Sequence, residues 1–286
     1  MQKQGSFWLK AISQPGHVRC VIIQAPSLIE ELGRIHHLSD EMTPALGEAV
    51  ISALMLSSFC KGKERVNLTV QGDASIRQAF VDADPQGHVR GYLLLSDLSE
   101  VKSEENWGSG IFSVLRTQAE EGRQPYIGSV PLASQDLQEC LSRYWNLSEQ
   151  VVSAVAISRQ ARGGVLFQVL GGATPEEVSW VKGLESRLRA VVDEVISSQD
   201  PLACLSSLFT EREFVEIEVK PLTLKCSCSF EKVEKALMMI GEGELHSILK
   251  NEGCSSISCD FCGKKYTFDQ AALLKILHRL QEKNQS

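Results

Sequence analysis

The sequence has no long apolar run and no excess of basic residues. No apolar stretch reaches the roughly 18 residues that a membrane-spanning helix needs. Residues 1–16 lack the apolar stretch and small-residue cleavage site of a signal peptide. The chain carries 29 Lys and Arg against 36 Asp and Glu, a net charge of −7, which argues against a nucleic-acid-binding surface. We therefore expect a cytoplasmic protein that binds neither membranes nor nucleic acids.

The sequence also lacks a convincing catalytic set. The glycine pairs at 163–164 and 171–172 have neither the lysine nor the spacing of a phosphate-binding loop. His36 and His37 end a predicted helix, and because adjacent residues do not share a helix face they are expected at the surface. We therefore expect a protein that is not an enzyme.

Residues 1–173 alternate strand-like and helix-like patterns. The segment that opens at Thr43-Pro44 is apolar nearly all round and predicts a buried helix. Turn residues, including Pro15-Gly16, separate the predicted strands. These strands are FWLKAIS, HVRCVIIQ, ERVNLTVQG, SIRQAFVDAD, HVRGYLLL, GIFSVLRTQ, QPYIGSVPL, VVSAVAISR and GVLFQVL. The pattern predicts an α+β domain with a mixed or antiparallel sheet covered by helices.

Residues 174–223 have a different pattern and are predicted to be a helical linker. TPEE, from Thr174, is a capping box. Apolar residues then recur every three or four positions, which predicts one amphipathic helix to about Ser198. Asp200-Pro201 starts a short helix, and VEIEVK alternates as a strand does until Pro221 breaks it.

Residues 224–286 are predicted to form a small C-terminal domain. Two short helices end at Gly241 and Gly253, and SISCDFCGKKYTF reads as a hairpin with its CxxC at the tip. Asp269 caps a final helix. The apolar core of such a region is too small for it to fold reliably without further support.

The cysteines are the most informative residues. There are nine, and five of them crowd the last quarter of the chain. Two close pairs, Cys226 with Cys228 and Cys259 with Cys262, supply the four soft ligands of a closed tetrahedral Zn²⁺ site. A bound zinc can contribute about 10–16 kcal/mol of apparent folding free energy. We expect this region to be folded with metal and unfolded without it.

Two other residues compete as ligands. Cys254 and His246 lie close in sequence to the two pairs, and either can replace one thiolate. We favour the two pairs because each presents both sulfurs from one turn. A disulfide between Cys226 and Cys228 would close a very small, strained ring and would be easily reduced. The site can therefore act as a reversible redox switch as well as a structural support.

The order and spacing of these motifs resemble one family over nearly the whole chain. Its strongest feature is CxC, about thirty residues, then CxxC. NLTVQGD (67–73), GHVRGY (87–92), QPYIGSVPL (124–132) and YWNLSEQVVSAVAI (144–157) agree with it. The chain resembles the redox-regulated heat-shock holdases, the 33-kilodalton chaperonins.

The resemblance implies a cytosolic, ATP-independent chaperone for unfolding proteins. In the reduced, inactive form one Zn²⁺ would be held by Cys226, Cys228, Cys259 and Cys262. Oxidation would give the disulfides Cys226–Cys228 and Cys259–Cys262, release the zinc, unfold the C-terminal domain and undock the linker. Active members tend to form homodimers.

The sequence differs from the family pattern at two places, and two alternative functions compete with the chaperone function. Gly72-Asp73-Ala74 stands where the family has Gly-Asp-Gly, and Cys254 lies outside the four-cysteine pattern. CDFC alone would suit a thiol–disulfide oxidoreductase, but such a motif normally opens a helix. Lys264, Lys265 and Tyr266 would suit a zinc-ribbon nucleic-acid-binding protein, which the overall acidity opposes.

Overall fold

The computed structural model describes residues 5–14, 16–96, 106–117, 125–132 and 136–284. The chain divides into two compact units, Met1–Lys225 and Cys226–Ser286. Pro15, Gln118 and Gln124, which were predicted in a turn and in two strands, lie outside the described residues.

The first unit alternates strands with helices, as its sequence pattern predicts. In chain order it contains β1 (Phe7–Ser13), β2 (Val18–Gln24), α1 (Pro26–Ile35), α2 (Thr43–Ser57), β3 (Arg65–Gly72), β4 (Ile76–Ala83), β5 (His88–Leu95), β6 (Gly110–Thr117), β7 (Tyr126–Leu132), α3 (Leu137–Tyr144), a π-helical turn (Trp145–Glu149), β8 (Ser153–Ile157), β9 (Gly163–Val169), α4 (Pro175–Lys182), α5 (Glu185–Ser197), α6 (Pro201–Leu208), β10 (Phe214–Pro221) and β11 (Thr223–Leu224).

The strands of this unit form two sheets. The first, in the order β10-β1-β2-β9-β8, is antiparallel throughout. The second has the order β11-β5-β4-β3-β6-β7, and only its β11–β5 pair is parallel. The predicted α+β class is therefore confirmed, with one antiparallel and one mixed sheet. The pairing of β10 with β1 joins strands about 200 positions apart in the chain, which no local pattern encodes.

Helix α2 fills the larger apolar core. It contacts β3, β4 and β5 of the mixed sheet and also β2 and β9 of the antiparallel sheet. A helix with sheets on more than one side has no solvent face, which explains why its sequence is apolar nearly all round. Its side chains from Ala49 to Ser57 are all buried. The prediction of a buried helix here is confirmed.

A second core covers the other face of the antiparallel sheet. Leu188, Val192 and Val195 of α5 are buried there with residues of β1, β2 and β9. The single helix predicted from Thr174 to Ser198 is wrong, because the chain breaks at Gly183 between α4 and α5. The apolar spacing runs through the break because both helices bury their apolar residues in the same core. Glycine, a poor helix former, allows the chain to turn between them.

A capping box formed by Thr174 and Glu177 stabilises the start of α4. Thr174 caps the helix and Glu177 completes the predicted capping box. Glu177 is buried, and its carboxylate accepts a hydrogen bond from the Thr174 backbone at 2.8 Å. His17 Nδ1 lies 3.1 Å from the same carboxylate and Arg212 lies 3.5 Å from it. The Thr174 backbone hydrogen bond and the hydrogen bond with His17 outweigh burial and hold the pKa of Glu177 below its ordinary value.

The second unit is small. It contains α7 (Phe230–Met239), α8 (Glu242–Asn251), β12 (Ser255–Ser258), β13 (Lys265–Phe268) and α9 (Gln270–Asn284). Among its described residues, seven form the buried apolar core, Leu237, Leu245, Tyr266, Phe268, Leu273, Ile276 and Leu277. Among the helices in the described part of the chain, none combines the length and apolar character needed to cross a bilayer.

Candidate metal centre

Cys226 and Cys228 lie in the segment without regular secondary structure that precedes α7. Ser229 caps that helix by accepting a hydrogen bond from the Lys232 backbone at 3.3 Å. The Lys232 ammonium group returns to donate to the Ser227 carbonyl at 2.6 Å. The first turn of α7 therefore fixes the backbone between the two cysteines.

Cys259 and Cys262 lie at the tip of the hairpin formed by β12 and β13, as predicted. The Cys259 N–H donates to the Lys264 carbonyl at 2.9 Å, and the Gly263 N–H donates to the Cys259 carbonyl at 2.8 Å. Gly263 has a φ of 69°, a left-handed conformation that glycine adopts without strain. The turn thus directs both sulfurs to one side.

The structure brings all four of these cysteine sulfurs together. Cys226 Sγ lies 3.7 Å from Cys259 Sγ, and Cys228 Sγ lies 3.5 Å from Cys262 Sγ. All four sulfurs lie within 4.8 Å of one another. Four thiolates about 2.3 Å from a tetrahedral zinc ion are about 3.8 Å apart. The size of the cluster therefore fits a tetrahedral metal ion with four sulfur ligands.

The electrostatics of the cluster also favour a cation. Burial raises the pKa of Cys228, but hydrogen bonds from Tyr266 and the other thiols outweigh it and lower that pKa to about 7. Burial raises the pKa of Cys262 to about 12, and the pKa of Cys259 is raised by the same cause. Without a counter-charge, the cluster thus favours one thiolate and opposes further ionisation. A divalent cation would supply the charge that four thiolates need.

Tyr266 is a site residue that the sequence pattern did not reveal in this role. Its hydroxyl donates a hydrogen bond to Cys228 Sγ at 3.1 Å, and its ring is buried. Lys264 lies 5.2 Å from the centre of that ring. The alternation of β13, with Tyr266 and Phe268 inward, was a signal for burial. The partner of the hydroxyl, Cys228, lies almost forty residues earlier in the chain. A local pattern therefore could not predict this hydrogen bond.

The competing ligands are not part of the cluster. Cys254 is exposed, and His246 is exposed with its Nε2 3.7 Å from a carboxylate oxygen of Glu242. The group of side chains close enough to hold an ion contains neither of them. The remaining cysteines are in the other unit, where Cys20, Cys60 and Cys140 are buried. Burial raises the pKa of Cys20 and of Cys60, which keeps both as unreactive thiols.

The geometry bears on the two alternative functions. In the structure CDFC forms a turn between two strands, and the next helix begins only at Gln270. The thiols therefore lack the helix N-terminus that lowers the pKa in CxxC oxidoreductases. The buried ring of Tyr266 is also not available as a stacking platform for a nucleic-acid base.

Comparisons with known proteins agree over nearly the whole chain. The family model described as "Hsp33 protein" matches residues 7–269. The 33 kDa chaperonin of Limosilactobacillus fermentum is 30% identical over 93% of this chain and 97% of its own length. That of Levilactobacillus brevis is 29% identical over 97% and 99%. The crystal structure of the 33 kDa chaperonin of Thermotoga maritima, a heat shock protein 33 homologue, has a TM-score of 0.83. It is 25% identical and covers 98% of this chain and 100% of that one.

Proposed function

Because this chain belongs to the Hsp33 family, we propose that it is a redox-regulated, ATP-independent holdase for unfolding proteins. The chaperone class follows from the family, whose curated members are named chaperonins. The observation that carries the redox mechanism is the convergence of four cysteine sulfurs within 4.8 Å. The sulfurs fit both a metal ion and disulfide exchange, because each has a second sulfur close by.

We assign Cys226, Cys228, Cys259 and Cys262 as ligands of one Zn²⁺ per chain in the reduced protein. When bound, the metal would join the segment before α7 to the β12–β13 hairpin. Seven of its described residues form the apolar core of this unit, so this connection would supply much of its stability. Tyr266 supports the site by donating its hydroxyl proton to Cys228 Sγ.

Activation begins with the thiolates. A thiolate sulfur attacks a peroxide oxygen or hypochlorous acid, forms a sulfenic acid and releases hydroxide or chloride. A second thiolate attacks that sulfur, the S–S bond forms, and hydroxide leaves. Formation of each disulfide therefore transfers two electrons from two cysteine sulfurs to one oxidant molecule. Following the family resemblance, the products are Cys226–Cys228 and Cys259–Cys262. Formation of the two disulfides consumes all four thiolate ligands, so the zinc is released.

Loss of the four ligands then affects the preceding segment. We propose that residues 1–173 are the chaperone core, 174–223 the linker and 224–286 the redox switch. The linker buries apolar residues of α4, α5 and α6 against the antiparallel sheet. Undocking would expose that apolar surface to client proteins. The oxidised protein is proposed to be a homodimer and to act in the cytoplasm, without an enzymatic reaction of its own.

One combined experiment tests this function. Zinc content, free thiols and light scattering of a heat-denatured client are measured before and after peroxide treatment at elevated temperature. We expect one zinc per reduced chain, loss of four thiols, and suppression of client aggregation only after zinc release. Holdase activity with the zinc retained would contradict the mechanism. Catalysed insulin reduction by substoichiometric protein would instead indicate an oxidoreductase.

Peptide mapping tests the disulfide assignment separately. In the structure Cys226 Sγ lies 3.7 Å from Cys259 Sγ and Cys228 Sγ lies 3.5 Å from Cys262 Sγ, so proximity alone does not select the pairing within each segment. We expect mass spectrometry of the oxidised protein to find Cys226–Cys228 and Cys259–Cys262. Predominant links between the two segments would contradict the assignment while leaving the zinc site intact.

A further inference from the structure

A two-residue strand ends the first unit just before the first proposed zinc ligand. In β11, Thr223 aligns with His88 and Leu224 with Val89 of β5. The Thr223 N–H donates to the Gly87 carbonyl and the Lys225 N–H donates to the Val89 carbonyl, both at 3.0 Å. Cys226 follows directly in the sequence.

Among the described residues, most of the adjoining edge of β5 has no strand partner. β5 extends from His88 to Leu95, but β11 aligns with only its first two residues. The His88 carbonyl accepts from Asp84, and the Ser96 N–H donates to Ser75, so even-numbered residues face β4. Because backbone groups alternate along a strand, odd-numbered residues face the opposite edge. In the described ranges no strand pairs with that edge beyond Val89.

The same stretch carries exposed apolar side chains. Leu94 is 43% exposed and Leu95 is 47% exposed, whereas Leu93 packs against the larger core. An exposed apolar strand edge promotes pairing with other chains, and proteins usually protect such edges. A short covering strand at one end is therefore a partial protection, and it shows that this edge accepts an extended backbone.

The covering strand is too short to depend on its own pairing. Strands usually have at least about three residues. β11 is held on one side by Leu222, whose N–H donates to the Ser6 carbonyl at 2.9 Å. On the other side the chain continues directly into Cys226, the first proposed zinc ligand. Release of the Cys226 sulfur would leave β11 held by Leu222, by Leu224, which packs against the larger core, and by its own backbone hydrogen bonds.

We propose that the β5 edge, residues Val89 to Leu95, binds an extended segment of an unfolding polypeptide as an added strand. β11 occupies the first positions of this edge while the cysteine site is intact. Recognition through backbone hydrogen bonds is largely independent of sequence, as a holdase with many clients needs. This inference rests on the proposed redox activation for the release of β11.

Site-resolved amide hydrogen exchange tests the proposal. The protein is measured reduced with zinc, oxidised, and oxidised with carboxymethylated α-lactalbumin, a permanently unfolded chain. Oxidation is expected to speed exchange of the Thr223 and Lys225 amides at least tenfold. The unfolded chain is expected to slow the Gly91, Leu93 and Leu95 amides at least tenfold. The amides of even-numbered β5 residues, which face β4, serve as internal controls and stay protected.

The outcomes separate this inference from the proposed function. If oxidation neither releases zinc nor produces client binding, the proposed function fails. If the client is held while the Gly91, Leu93 and Leu95 amides are unchanged, the β5 edge is not the binding site. If those amides are slowed without client, increasingly at higher protein concentration, the edge pairs with a second copy, and the inference is overturned.

Two pairs of variants complete the test. Thr223→Pro removes the N–H that bonds Gly87, whereas Thr223→Val keeps it. The zinc-loaded reduced Thr223→Pro protein is expected to bind the unfolded chain at least tenfold more tightly than Thr223→Val. Leu95→Pro removes an outward N–H, whereas Leu95→Ala removes only the side chain. After oxidation, Leu95→Pro is expected to bind several-fold more weakly than Leu95→Ala. Equal affinities within both pairs would overturn the proposal.

Discussion

Leu188→Ala is expected to loosen α5 from the antiparallel sheet without altering a cysteine. The Leu188 side chain is fully buried in the core that α4, α5 and α6 share with that sheet. Leucine-to-alanine changes at such positions cost about 2–5 kcal/mol, since apolar contact is lost and a cavity remains. A factor of ten in an equilibrium corresponds to about 1.4 kcal/mol. The opening equilibrium of α5 should therefore rise by roughly thirty-fold to several-thousand-fold.

Amide hydrogen exchange of α5 measures this change, and light scattering of a denaturing client measures its consequence. Glu194→Ala, an exposed position on the same helix, is the matched control. The reduced Leu188→Ala protein should keep one zinc and suppress aggregation without oxidant, whereas Glu194→Ala should need oxidant as the wild type does. If α5 opens by the expected factor and activity still requires oxidant, undocking of these helices is not what activates the chaperone. Unchanged exchange would refute the packing estimate itself.

Four further outcomes are expected. In zinc-loaded reduced protein, Tyr266→Phe removes the hydroxyl that donates to Cys228 Sγ, so transfer of the zinc to a colorimetric chelator should be several-fold faster than from the wild type. The backbone hydrogen bond of its helix cap lowers the pKa of Glu177 on folding, so its carboxylate stabilises the fold above about pH 4.5 and this contribution is lost as pH falls. Lowering the pH from 6 to 3 should therefore reduce the thermal unfolding temperature of the wild type more than that of Glu177→Gln. Cys254→Ser should retain one zinc in a colorimetric assay, and loss of zinc would make Cys254 a ligand. A chelator should remove the helical circular dichroism of residues 226–286 while the proposed chaperone core, residues 1–173, stays folded.

The features that could be predicted from the sequence are local ones. The capping box at Thr174 needs only residues three positions apart, and the hairpin around Cys259 needs only a turn and two short alternating runs. The two cysteine pairs were found by spacing alone, and the structure brings their sulfurs together. Each of these features is determined by side chains within a few residues of one another.

The features that could not be predicted depend on distant contacts. The partition of the strands into two sheets follows from the central position of α2, which the apolar pattern of α2 does not specify. The sequence did not predict the break between α4 and α5 at Gly183, because the apolar spacing continues across it. The π-helical turn Trp145–Glu149 follows α3 directly and has no local sequence signal of its own. β11 was missed because two residues carry no recognisable period.

The pairing of β1 with β10 has a consequence for biosynthesis. Ser13 aligns with Phe214, so the first strand of the chain must wait for almost all of the first unit to be translated. At about 5–20 residues per second, the ribosome needs roughly 10–40 s to make the intervening segment. During that interval the outer edge of β1 is open on the nascent chain. A protein proposed to protect other unfolding chains would itself be exposed to strand-pairing errors until its last large strand emerges.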